Sequence, residues 1–209
     1  MNYLAHVHLA RHSGEAMVGA FLGDFLRPQE AAHLGPQVVL EMLVHRHVDR
    51  FTDTHPRIRA LRRLCQPQHR LLARVSLDVL LDHVLARHWS RYTQEPLGAV
   101  ADRFYAALAS MHASLPQELV DVAGRMRRQD WLRSYTHADS VDAAVGRLAQ
   151  RLSRNGDRLI ASLHELRAHA KAVDEAFHAF YPELLASTAS RRATLQAEAA
   201  LGNPAMPPA

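Results

Sequence analysis

The chain has 209 residues, 48% of them hydrophobic and 22% charged, the make-up of an ordinary globular domain and not of a disordered or fibrous chain. The charge balance is basic, with a formal net charge of +4 and a sequence pI near 9.7, so acidic partners are favoured without being identified. No apolar run approaches the roughly 20 residues needed to cross a bilayer, and the first residues, Met1-Asn2-Tyr3-Leu4-Ala5-His6, lack the basic start of a signal peptide.

Apolar positions recur at three and four throughout, and alanine, leucine and arginine favour helix, so every segment is expected to be helical. The first helix is expected from about Tyr3 to Arg11, closed by Ser13-Gly14, and the second from about Glu15 to Leu26, stopped by Pro28. After Gly35-Pro36 a long helix should reach Thr54, with Pro56 opening the next. Further helices are expected over about 69–92, 97–112, 116–129, 139–154 and 157–181. From about Ser187 large apolar residues thin out. The expectation is one domain over 1–186, an all-α irregular helical bundle, followed by a frayed helix and disordered tail over 187–209.

The only cysteine, Cys65, excludes an internal disulfide and suits a reducing compartment, for which the cytoplasm is the simplest address. The Arg57, Arg59, Arg62, Arg63 run reads by default as a solvated helix face. There is no GxSxG elbow, Gly-rich phosphate loop, HExxH or CxxC.

The informative residues are histidines and aspartates. Of the 15 histidines, His45 stands four residues before Asp49, and Asp49 four before Asp53, so the three share a helix face. Asp78 and Asp82 are again four apart, with His83 beside them, on a stretch apolar on most sides; Asp24 is bracketed by Gly23 and Phe25. A buried carboxylate needs a cation, an arginine or a metal. A divalent metal with mixed His and Asp ligands satisfies all three segments. Internal salt bridges, Asp49 and Asp53 with Arg46 and Arg50, and Asp78 with Arg74, are the competing solution. His6 and His8 face different sides of a helix, so at most one reaches such a site.

Five blocks, in order, resemble the acyl carrier protein phosphodiesterase family: Met1 to Ala10, Gly23-Asp24-Phe25, His45-Arg46 through His55-Pro56, Asp78 through His88-Trp89, and the later Asp130-Trp131-Leu132 and Leu152-Ser153-Arg154 stretches. Glu41, where a small residue is expected, and Pro28 depart from the pattern. The resemblance implies an HD-like helical fold and hydrolysis of the phosphodiester joining 4'-phosphopantetheine to a serine of holo-acyl carrier protein. It also implies a divalent cation, manganese or magnesium, and an acidic protein partner, with neither nucleic acid nor membrane involved. On that basis Asp24, His45, Asp82 and His83 are expected to hold the metal, with Asp49 and Asp78 as alternative ligands or acceptors. Arg46 would neutralise phosphate charge, and His6 or His88 would protonate the departing serine oxygen or orient a ligand. Two rivals stand beside this reading: an HD-like phosphohydrolase acting on nucleotides or cyclic dinucleotides, and a non-enzymatic basic helical binding protein. The oligomeric state has no signature in the sequence.

Overall fold

The computed structural model describes residues 1–201. Among them are eleven α-helices and three short 3-10 turns, with no strand. The helices are α1 (Tyr3–Leu9), α2 (Gly14–Leu22), α3 (Pro36–Thr54), α4 (Pro56–Arg63), α5 (Ala73–Arg87), α6 (Leu97–Ser110), α7 (Gln117–Arg128), α8 (Trp131–Ser134), α9 (Ala138–Arg151), α10 (Gly156–Ala168) and α11 (Ala170–Ala200). The expected all-α single domain is what is found. None of these helices is long and apolar enough to cross a membrane.

The start of the chain is the centre of the fold. Residues Leu4 to Leu9 are all buried, and α1 packs on α2, α5 and α6. A helix buried all round exposes no face to which a cap could be tied in water, so its N-terminal N–H groups need protein partners. Asp82, fully buried on α5, supplies them: its carboxylate accepts from Leu4 N at 2.7 Å and Ala5 N at 3.2 Å. The negative charge also faces the positive end of α1.

α2 packs along the first half of α3. The approach is close because two glycines one turn apart face α3. A Cβ on Gly19 would fall 2.4 Å from the Val38 carbonyl oxygen, and one on Gly23 would fall 2.4 Å from His45 Cγ. The expected helix over 157–181 is divided at His169, whose backbone (φ −111°, ψ 30°) leaves the helical region. From there α11 runs through Pro182 and past Ser187 to Ala200. The expected fraying from Ser187 does not occur, since Thr188 and Leu195 are buried. Arg192 also reaches Glu41 on α3 with two bonds, Nε to Oε1 at 2.5 Å and Nη2 to Oε2 at 3.0 Å. Residues 202–209, the end of the expected tail, lie outside the described residues.

Candidate metal centre

Two helices and one turn bring imidazoles and carboxylates to one point. His45 and Asp49 come from successive turns of α3, His6 from α1, and Asp24 from the turn that follows α2. His45 Nε2 stands 3.2 Å from Asp49 Oδ2 and 3.4 Å from Asp24 Oδ1. His6 Nε2 lies 3.1 Å from Asp49 Oδ1. The two imidazoles stack with centroids 3.9 Å apart. Both rings are 2% exposed whereas Asp49 and Asp24 are 35% and 40% exposed, so the imidazoles form a dry floor under an acidic mouth.

The hydrogen bonding of His45 decides what it can do. Its Nδ1 lies 2.7 Å from the Ala20 carbonyl oxygen, which can only accept, so Nδ1 carries the proton. Nε2 is therefore a lone pair aimed at two carboxylates unless a proton or another cation sits between them. Burial opposes the charged ring, but hydrogen bonds to Asp24 and Asp49 prevail and raise His45 to about 9. His6 is lowered instead, by burial first and by the charge on His45 second. Asp49 is held well below the usual carboxylate range: burial works against its charge, and the bonds from His45 and His6 outweigh it. One ligand atom from each of His6, His45 and Asp49 lies within 4.8 Å of the others. This donor set, two imidazoles and a carboxylate with a second carboxylate alongside, fits a borderline divalent ion.

The remaining sequence candidates take other places. Asp78 accepts from the Met1 amine at 2.8 Å; the same amine lies 3.7 Å from Asp49. Burial disfavours that ammonium, but Asp78 and Asp49 raise it to about 10. Asp82 is not brought to the cluster: it caps α1, and burial pushes its carboxyl up to about 7 against the pull of the Met1 amine and the two N–H donors. His83 is turned to the Tyr135 carbonyl oxygen, 2.6 Å from its Nδ1. His88 sits edge-on to His178, 4.5 Å between centroids, with Nε2 4.0 Å from Asp174. Arg46 is exposed and has no ion pair among the described residues. Among the salt bridges weighed against the metal, Arg74 pairs with Asp53 at 3.1 Å, not with Asp78. The sequence reading named Gly23 only as a neighbour of Asp24 and overlooked its role: its missing side chain makes room for His45. The four-residue spacing of Gly19 and Gly23, on a helix opposite the His45 segment, was the available signal.

The profile of the acyl carrier protein phosphodiesterase family matches residues 1–184. The chain belongs to that family. It is 34% identical over 192 residues to the acyl carrier protein phosphodiesterases of Salmonella agona (strain SL483) and Salmonella newport (strain SL254). Each alignment covers 91% of this chain and 99% of the relative. The family match contains all of the residues gathered at the cluster. No solved structure matches the chain.

Proposed function

We propose that this chain is a metal-dependent acyl carrier protein phosphodiesterase that releases 4'-phosphopantetheine from a serine of the holo-carrier protein and leaves the apo-protein. The observation that carries the reading is the convergence of His6, His45, Asp49 and Asp24 on one point inside the segment that matches the family. In this reading His6 Nε2, His45 Nε2 and Asp49 hold the ion, and Asp24 completes the set or orients the substrate side. When bound, a divalent cation supplies Lewis acidity toward the phosphoryl group and lowers the pKa of a water nucleophile. Two imidazole donors favour manganese over magnesium, which prefers an all-oxygen shell.

The protein's own groups prepare that chemistry. The Ala20 carbonyl keeps the His45 proton on Nδ1, so Nε2 offers its lone pair to the ion. The Met1 amine neutralises Asp78 and leans on Asp49, limiting repulsion among three carboxylates. The exposed edges of Asp24 and Asp49 mark the side from which a phosphodiester on another protein enters. The basic balance of the chain favours an acidic carrier protein there. The buried, free Cys65 supports a reducing compartment, hence the cytoplasm.

The test is incubation of the purified protein with holo-carrier protein and manganese, followed by mass spectrometry of the carrier. Loss of the prosthetic group, abolished by exhaustive chelation and restored by manganese, is expected. An unchanged carrier refutes the activity; cleavage that survives chelation refutes the metal.

A further inference from the structure

A cleft opens beside the cluster, between the start of α1, the turn after α2, and α8 and α9. Its connection to the site is covalent on two sides. Phe25 in its wall follows Asp24, and Asn2 in its floor follows Met1, whose amine touches Asp49 and Asp78. The apolar walls are aromatic: Tyr3 stacks parallel to Phe25 with centroids 6.4 Å apart and leans on Trp131 at 6.1 Å. Burial, and then the charge of Asp24, raise the Tyr3 phenol to about 12, with Arg151 pulling the other way.

The polar groups in the cleft are not used up by the fold. Asn2 gives an amide N–H to the Tyr135 hydroxyl at 2.7 Å and keeps its carbonyl oxygen without a donor among the described residues. The Ser140 hydroxyl likewise has no partner among them. Arg147 and Arg151, one turn apart on α9, line the cleft and have no acidic partner among the described residues. Arg147 lies over the Trp131 ring at 5.6 Å, where a cation is held in place without being neutralised.

Aromatic walls, a free amide acceptor, a hydroxyl and an unpaired cationic rim, all next to a phosphodiester-cleaving centre, match a thin amide-linked chain ending in a phosphate. We propose that this cleft is the subsite for the pantetheine arm of the substrate, with Tyr3, Phe25 and Trp131 covering its methyl and methylene groups. Asn2 and Ser140 meet its amides, and Arg147 and Arg151 meet its phosphate end. The assignment rests on the phosphodiesterase reading above and adds where the leaving group lies. A nucleotide would use the same phosphate chemistry, but the cleft offers an amide acceptor and narrow aromatic walls in place of a base-reading edge.

Full-length protein, freed of metal with a chelator, is titrated separately with pantetheine, 4'-phosphopantetheine and AMP while Trp131 emission is followed. The Trp131→Phe variant identifies the signal. Both pantetheine compounds should shift the emission, and AMP should not. Ala144→Leu, which places extra methylenes in the cleft, should weaken both pantetheine compounds by about ten-fold or more. The exposed pair Arg147→Gln/Arg151→Gln should weaken only the phosphorylated one. Circular dichroism confirms folding of each variant, and the arginine pair decides the matter if Ala144→Leu does not fold. The proposal is overturned if neither pantetheine compound binds, if AMP binds and they do not, or if folded variants bind as wild type does. Cleavage of holo-carrier protein is scored separately. Cleavage by a protein that binds no arm in the cleft removes this assignment alone, whereas arm binding without cleavage removes the phosphodiesterase reading and leaves the cleft standing.

Discussion

Adding one methyl group at Gly23 tests whether the centre depends on the close contact between α2 and α3. The glycine has ordinary helical backbone angles (φ −56°, ψ −25°), so conformation does not require it and space does. A Cβ there would lie 2.4 Å from His45 Cγ, 2.7 Å from Cδ2 and 2.8 Å from Cβ. Carbon atoms in contact settle at about 3.5–4.0 Å, so the imidazole must retreat by about 1 Å. Such a movement breaks the 2.7 Å bond from Nδ1 to Ala20 and carries Nε2 away from Asp24 and Asp49. A misplacement of about 1 Å in a catalytic array costs on the order of a hundred-fold in rate, and overpacking costs about 1–3 kcal/mol in stability. Gly23→Ala should therefore lower kcat on holo-carrier protein about a hundred-fold and weaken manganese binding measured by calorimetry, while far-ultraviolet circular dichroism remains helical. Gly146→Ala is the control. That glycine lies inside α9, and a methyl group added to it would meet nothing within 4 Å, so the change should leave turnover intact and add about 0.5–1 kcal/mol of stability. Wild-type turnover and manganese affinity in Gly23→Ala would refute the argument that this contact sets His45.

Two further outcomes concern the fold that carries the centre. Arg192→Met leaves Glu41, 1% exposed, without its two-pronged partner, which should cost about 3–5 kcal/mol and lower the melting temperature by roughly 10 °C. Adding Glu41→Leu should recover most of that loss, and a single variant within about 1 kcal/mol of wild type would show that the pair does not anchor α11. His8 is lowered from 6.5 to about 3 by burial, with the charge of Arg11 adding to the effect. Its folded pKa lies below the unfolded one, so the unfolded chain binds the extra proton between these values. This group's stabilisation is then complete above 6.5 and declines as pH falls toward about 3, by about 1.4 kcal/mol per unit inside the window. Melting temperatures of His8→Phe between pH 6.5 and 4.5 should fall less steeply than those of wild type, and equal slopes would exclude His8 as the cause.

Periodicity reached the helices and the His45–Asp49 face because both are local properties of about one turn of chain. Asp82 shows where local reasoning ended. Its apolar surroundings correctly implied a buried carboxylate that needs compensation, for which an arginine, another cation or a metal are the remedies a side-chain inventory offers. The remedy used is the N-terminus of α1, whose N–H groups lie 78 and 77 positions away in the chain. Nothing near Asp82 encodes that neighbour. Spacing alone could not choose between His6 and His8 for the same reason: both are buried, one stacked on His45 and the other bonded to the Tyr181 hydroxyl at 2.8 Å. Only the positions of α3 and α11 distinguish them. The Ser187 boundary misled because small residues alone do not imply fraying: Leu195 and the Glu41–Arg192 pair hold that stretch down with few large side chains. Glu41, which looked out of place against the family pattern, is the inner half of that pair.

The same packing event positions the proposed ligands and selects the His45 tautomer. Gly19 and Gly23 bring α2 against α3, and the Ala20 carbonyl between them receives the His45 proton. The turn closing α2 then places Asp24 across from His45 Nε2. A larger residue at either glycine would separate the carbonyl from the ring and the ring from Asp24 at once, so loss of geometry and loss of the correct tautomer are one failure. In the Gly-Asp and His-x3-Asp blocks, the aspartates and histidine carry the proposed ligand atoms and the glycine carries their spacing. A family pattern that retained the ligands but lost the glycine would describe a similar list of residues without the centre they form.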